Sequence, residues 1–421
     1  MLACRSATEK TRGGAGGAAS RSRRPSPRQW RPTPFHGSSP GVRMPALHDL
    51  PTPSLVLDRP RLQRNIDRMA DRCAELGIWL RPHLKTPKSI DVARLLMARQ
   101  ARGITVSTLA EAEYFARHGL HDQFYAVPLA ADKIGRIAAL VRGGTTVLCV
   151  AHDADAVPAY AARAAAEGIV LPLVIDVDVD HHRSGIAAGD PAFPAMARAI
   201  NAAPSLALRG IMVYAGASYD APDTDAIAAL AERIRAGGVA ARDLLHREGL
   251  PCDMVSYGSS PGTFFARSLD GLSESRAGVY PFQDLFQAGL GACAVDDIAL
   301  SVLTQVTGRQ PALNRFFVDA GGLALSKDRS TAGHAFDAGY GLVCDEDGIP
   351  IGDLIVSAAS QEIGTVTSRQ GATLDMAAFP PGRRLRILPN HSCFTAAAYE
   401  RYNVVDGGHE VTAVWDRVNG W

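Results

Sequence analysis

Apolar residues recur at helical spacing in five stretches: Arg61–Leu76, Ser89–Arg99, Leu109–His118, Asp153–Glu167 and Thr224–Glu248. Short β-rich runs lie around and between them. These are Ile78–Leu80, Ile104–Ser107, Phe124–Val127, Thr146–Val150, Leu171–Val177, Leu206–Val213, Met254–Ser256 and, weakly, Leu285–Ala288. Eight strands with intervening helices predict a (β/α)8 TIM barrel, with a doubly wound sheet as the alternative. Eight units within about 230 residues favour closure. After residue 295 the texture changes. Leu300–Gly308, Arg315–Asp319, Ile387–Leu388, Asn403–Val405 and Glu410–Val414 read as strands between Gly/Pro/Asp turns, which predicts a C-terminal β-domain. Thr52–Leu57, ahead of the first helix, is expected to pair with it. The expected division is a barrel over residues 44–290 and a β-domain over residues 291–421.

The net charge of +1 implies no polyanionic partner, but it conceals an asymmetry. Residues 1–43 carry nine Lys/Arg against one acid, Glu9, leaving a net −7 on the remainder. This leader is rich in Gly, Ser, Pro and Arg, has no apolar period and is expected to be disordered. It reads as a transit peptide, a nucleic-acid tail poor in aromatics, or sequence upstream of a true start at Met44. The last reading is favoured, and no nucleic-acid partner is expected. No signal-peptide core and no membrane-spanning apolar run are present. Seven scattered cysteines without a C-x-x-C fit a reduced, cytoplasmic setting.

In a parallel barrel, chemistry gathers where strands end. Lys85 follows the first predicted barrel strand, Arg183 the fifth and Tyr214 the sixth, and Ser256–Thr263 lies at the end of the seventh. Lys85 sits among Arg81, His83 and Lys88, and crowding by cations favours the neutral amine that an imine needs. The bland alternative is a surface lysine in a basic turn. The small-residue stretch Ser256-Tyr-Gly-Ser-Ser-Pro-Gly-Thr263 offers amides and hydroxyls to a phosphate, or is a plain barrel loop. Asp176-Val-Asp-Val-Asp-His-His-Arg-Ser-Gly185 is polar where a strand exits, as a metal site or a solvated loop would be. His391 and Cys393 stand two residues apart, and on a strand both would face one side and grip a metal. Two protein ligands leave coordination positions open, which suits catalysis, and sulfur plus imidazole favours zinc over magnesium. A lone H-x-C is otherwise structural.

Together these residues resemble the fold-type III pyridoxal-phosphate (PLP) enzymes, within the D-serine dehydratase / D-threonine aldolase branch related to alanine racemase. The resemblance spans roughly residues 50–421. It is carried by Leu50-Pro-Thr-Pro-Ser-Leu-Val-Leu-Asp58, Arg81-Pro-His-Leu-Lys-Thr86, His182-Arg-Ser-Gly185, Gly278-Val-Tyr-Pro-Phe-Gln-Asp284, Ser360-Gln-Glu-Ile-Gly364 and Pro389-Asn-His-Ser-Cys393. It implies that Lys85 forms the Schiff base and that His391 and Cys393 hold a divalent metal: zinc first, manganese or magnesium as alternatives. It implies that Ser256, Gly258, Gly262 and Thr263 surround the phosphate with Tyr280 nearby, and that Arg183 and Tyr214 flank the pyridine ring. A homodimer with sites near the subunit interface is implied as well.

Dehydratase-like members carry His-x-Cys where many aldolases carry His-x-Asp. The implied activity is therefore β-elimination from a D-β-hydroxy amino acid, D-serine or 3-hydroxy-D-aspartate. Retro-aldol cleavage to glycine and an aldehyde is the runner-up, ahead of racemization or non-catalytic PLP binding. The chain departs from the family pattern at Pro87, Ala217 and Ile363.

Overall fold

A computed structural model describes residues 44–99, 101–181 and 184–421. The basic leader of residues 1–43 and Arg183 lie outside the described residues. Strand β1 (Ser54–Asp58) leads into a helix, Arg59–Glu75, that Asp58 caps by accepting a hydrogen bond from the Arg61 amide at 2.9 Å. Leu62, Ile66, Met69 and Cys73 form its buried stripe, the spacing a half-buried helix requires.

There follow β2 (Trp79–Leu80), β3 (Ile104–Val106), β4 (Asp122–Pro128), β5 (Thr146–Ala151), β6 (Leu171–Asp178), β7 (Ile186–Ala187), β8 (Leu206–Tyr214), β9 (Met254–Gly258) and β10 (Glu274–Ser275). Eight of them pair in parallel in the order β2-β10-β9-β8-β6-β5-β4-β3, with β7 attached to β6. The ends meet. His83 bridges Thr105, the Leu84 amide donates to Thr105 O at 2.8 Å and the Thr105 amide to Pro82 O at 2.9 Å, which closes the barrel.

Alternation along each strand decides what faces inward. On β6, Leu171, Leu173, Ile175 and Val177 join the layer beneath the helices. Val174 instead packs with Phe124, Leu148, Val150 and Met212 as a plug inside the barrel. The same parity turns Asp176, Tyr214, Ser256 and Gly258 inward, while Val255 and Tyr257 face the helices.

The second sheet holds β11 (Leu300–Gln310), β12 (Arg315–Val318), β13 (Leu342–Cys344), β14 (Pro350–Ala359), β15 (Gly364–Ser368), β16 (Arg384–Leu388), β17 (Arg401–Val405) and β18 (Val411–Asp416). The order β12-β15-β14-β13-β16-β11, with β11 returning to β12, makes a closed antiparallel barrel. Strand β1 extends it, antiparallel to β11 and parallel to β17, as the Thr52–Leu57 run predicted.

Three expectations are corrected. Leu285–Ala288 is not a strand. Leu285–Gly289 is a helix, because Asp284 accepts the Gln287 amide at 2.9 Å and so caps a first turn. The eighth barrel strand is instead β10, whose Glu274 and Ser275 carry no apolar signal. The Glu274 carboxylate faces Arg81 (Nε–Oε2 2.7 Å) rather than the plug. Finally, His391–Cys393 is not a strand: His391 is the N-cap of a helix over Ser392–Ala397.

Candidate active site

Between the barrel mouth and the β-domain lies a cavity of about 370 Å³, continuous through shared walls with a recess of about 90 Å³ toward β6. His83, Lys85, Tyr214 and Arg276 line both. Lys85 stands in the turn that follows β2, closed by the Lys88 amide donating to Leu84 O at 2.8 Å. The neighbours expected to crowd it with charge are neutralised. Arg81 pairs with Glu274 and Asp122 at 2.7 and 2.8 Å, and Lys88 pairs with buried Glu111 at 3.0 Å.

His391 and Cys393 reach the same cavity from the opposite end of the chain. The helix that carries them is fixed to the barrel's last segment. Leu285 N donates to Pro389 O at 3.1 Å, Phe286 N to Asn390 O at 3.2 Å, and Ser392 N to the Asp284 carboxylate at 3.0 Å. Burial opposes the thiolate, yet His391, Lys85 and Thr86 together hold the Cys393 pKa below the ordinary thiol value. Thr86 Oγ1 lies 3.0 Å from the sulfur. On the imidazole, burial is outweighed by Cys393 and by Asp328, whose carboxylate lies 3.8 Å from Nδ1, and the pKa rises. Two residues apart at a helix N-terminus, the two groups converge although the expected strand is absent.

The other candidates divide. Tyr214 and Gly258 line the cavity. Ser256, Gly262, Thr263 and Tyr280 sit one layer behind its wall. Ser256 Oγ donates to Glu274 Oε1 at 2.5 Å and accepts from Arg276. Gly262 leaves room for the Tyr257 hydroxyl, which a Cβ there would meet at 2.1 Å. Thr263 Oγ1 donates to Ser259 O at 2.8 Å. Tyr280 is enclosed in the core.

Sequence reasoning missed Arg276, 5% exposed, whose Nη2 donates to Val213 O at 3.2 Å. Burial brings its pKa down to about 10, against the pull of Glu274 and Asp176. Missed too were Gly216 and Gly278, which join Ser259 and Ser260 of the predicted small-residue stretch in forming one end of the cavity. The signal for Arg276 was its place directly after a strand, but that strand has no apolar residue.

Residues 57–284 match the alanine racemase N-terminal domain family, and residues 299–405 match a putative serine dehydratase domain. The chain belongs to the D-serine dehydratase-like branch of the alanine racemase superfamily. Within this PLP-dependent family it is 43% identical to a D-threo-3-hydroxyaspartate dehydratase of Delftia sp., over 88% of this chain and 98% of that one. It is 30% identical to a D-serine dehydratase of Dictyostelium discoideum, over 87% and 96%. A solved structure of a D-threo-3-hydroxyaspartate dehydratase variant, with a cysteine replaced by alanine and in the metal-free form, superposes with a TM-score of 0.87. It is 42% identical over 90% of this chain and all of that one.

The cavity suits the family's cofactor. A lysine amine stands on one wall, a buried guanidinium on the floor, and glycines keep the space open. A Cβ on Gly258 would meet Tyr214 at 2.9 Å and Arg276 at 3.0 Å, and one on Gly278 would meet His83 at 3.0 Å. The sulfur and imidazole side chains of Cys393 and His391, brought to one wall of the cavity, are donors that suit a divalent metal. Among the described residues no group of three or more His, Cys, Asp or Glu is arranged to hold one.

Proposed function

We propose that this protein is a PLP- and divalent-metal-dependent lyase. It removes water from D-β-hydroxy amino acids, with 3-hydroxy-D-aspartate or D-serine as substrate. One observation carries the reading: Lys85 and the His391/Cys393 pair, from opposite ends of the chain, line one cavity.

PLP supplies an electron sink at Cα and the metal supplies Lewis acidity toward the β-hydroxyl. Lys85 would hold the cofactor through its aldehyde, and once the substrate amine takes its place there, the freed Nζ would be the base that takes the α-proton. His391 and Cys393 hold the metal, and Thr86 and Asp328 orient those two ligands. Tyr214 and Arg276 would hold the ring, while Gly216, Ser259 and Ser260 would receive the phosphate. Loss of the α-proton and of the β-hydroxyl as water would give an enamine, whose imine tautomer takes up water to yield a keto acid and ammonia. Retro-aldol cleavage in the same pocket would give glycine and an aldehyde.

Zinc is the metal that sulfur and imidazole favour. A cytoplasmic setting is supported by the six described cysteines, all of them free. No helix among the described residues is long and apolar enough to cross a membrane. A homodimer is supported by exposed Leu323, Ile363 and Phe394, the last packed 4.4 Å from the His391 ring.

The test is to load the protein with PLP and zinc, supply D-serine, D-threonine and 3-hydroxy-D-aspartate, and assay products with and without a chelator. Keto acid and ammonia, lost on chelation and in Lys85→Ala, are expected. Aldehyde with glycine would reassign the reaction as retro-aldol. Absence of any cofactor absorbance that depends on Lys85 would overturn the reading.

A further inference from the structure

Beyond β18 the chain turns back under the site, and Arg417, 8% exposed, enters the space between the Lys85 turn and the His391/Cys393 helix. One side of its guanidinium faces the turn. Nε donates to Pro87 O at 3.3 Å and to the Tyr402 hydroxyl at 2.6 Å, and that hydroxyl donates to Pro87 O at 2.7 Å. The other side faces the helix. Nη1 donates to Ala396 O and, at 2.9 Å, to Tyr399 O. Ala396 stands in the last turn of that helix, where its carbonyl also accepts from the Tyr399 amide at 3.1 Å, and Tyr399 lies just beyond the C-cap. The backbone adds a third tie, Val418 N to Lys88 O at 2.8 Å.

Among the described residues no carboxylate forms an ion pair with Arg417. A buried cation without one is costly, and here its hydrogen bonds go to the two segments that carry Lys85 and Cys393. Thr86 and Cys393, one on each segment, lie 3.0 Å apart between these ties.

We propose that Arg417 is a positioning residue that sets the spacing between the Lys85 turn and the metal-ligand helix. The proposal rests on the reading of His391 and Cys393 as metal ligands. A planar fork that reaches both segments does this, and a lysine at the same place reaches one of them.

The test is zinc affinity, measured by competition with a chromophoric chelator, for the full-length wild type, Arg417→Lys and Tyr402→Phe. Melting and far-UV circular dichroism establish that each variant is folded. Arg417→Lys is expected to bind zinc about 10-fold to 100-fold more weakly, the loss typical when a group that orients metal ligands is removed. Tyr402→Phe, which removes the hydroxyl bridge between Arg417 and Pro87 O and leaves the longer direct Nε contact, is expected to lose about 10-fold. Lower melting temperatures with unchanged zinc affinity would make Arg417 merely structural and overturn the proposal. A wild type that binds no zinc would instead overturn the reading of the metal pair itself. Should Arg417→Lys not fold, Tyr402→Phe alone decides: unchanged affinity rejects the positioning role.

Discussion

Replacing Arg81 by methionine breaks a buried ion pair in the barrel. Arg81 is 9% exposed and its partner Glu274 4%, with Nε and Oε2 2.7 Å apart. Breaking such a pair by removing one member costs about 3–5 kcal/mol, because the remaining charge stays buried. The second contact, to Asp122, involves a side chain that is 57% exposed and adds at most about 1 kcal/mol. The expected total is about 4 kcal/mol, a large share of the roughly 5–15 kcal/mol that holds a typical protein folded. Urea unfolding followed by far-UV circular dichroism reads this as a fall in midpoint. Two controls fix the cause. Asp122→Ala should cost under about 1 kcal/mol. Adding Glu274→Gln to Arg81→Met should restore about 2 kcal/mol, since the orphaned charge is gone while the amide still accepts from Ser256. A cost below about 1 kcal/mol for Arg81→Met, or a double variant less stable than the single, would refute the buried-charge argument.

Three further outcomes are expected. Thr86→Val keeps the shape of the side chain but removes the hydrogen bond to Cys393, so zinc affinity should fall about 10-fold to 100-fold in a chelator competition. Gly210→Ala should destabilise the barrel by about 3 kcal/mol or more in urea, because φ is +146° and the new Cβ would lie 2.0 Å from Met254 O. His334, stacked 4.7 Å from Phe286, has a pKa lowered by burial. Its folded state therefore resists protonation, and stability should be intact above the unfolded value near 6.5 and fall as pH drops below it. His334→Phe should flatten that part of a plot of melting temperature against pH, and an unchanged slope would remove His334 as the cause.

Elements that bury an apolar side were legible in the sequence. The buried runs of β3 to β6, β8 and β9, and the capped helices around them, announce themselves by composition and period. Elements whose side chains serve other groups were hidden. Strand β10 offers only Glu274 and Ser275, and Arg276 after it reads as loop. Strand β14 opens on a proline and contains Gly352, while β15 has Val366 as its one large apolar residue. The site followed the same rule. Lys85, Tyr214 and Gly258 were readable from their place at strand ends, and the inward parity of β8 and β9 turns the last two to the cavity. Ser256 shares that parity but is consumed by Glu274 and Arg276, a pairing visible only once β10 is known. His391 and Cys393 were paired by a strand argument, whereas they converge at a helix N-terminus held by Asp284.

The three departures from the family pattern take on a different weight in this setting. Pro87 does not line the cavity; what its position contributes is a carbonyl, which accepts from Tyr402 and Arg417. Ala217 uses its amide, donated to Asp180 at 3.0 Å, while its neighbour Gly216 faces the cavity. Ile363 is 49% exposed and its carbonyl accepts from Ser360. At each position the backbone makes the contact, so the substitutions alter the surrounding shell and leave the cavity lined by Lys85, His83, Tyr214, His391 and Cys393. That set is drawn from two sheets, and its spacing depends on hydrogen bonds across their seam. A change at Asp284, Thr86 or Arg417 should therefore move the His391/Cys393 pair relative to Lys85 while leaving both halves folded. Zinc affinity is the quantity in which such a displacement appears first, because metal coordination tolerates shifts of only about 0.2 Å.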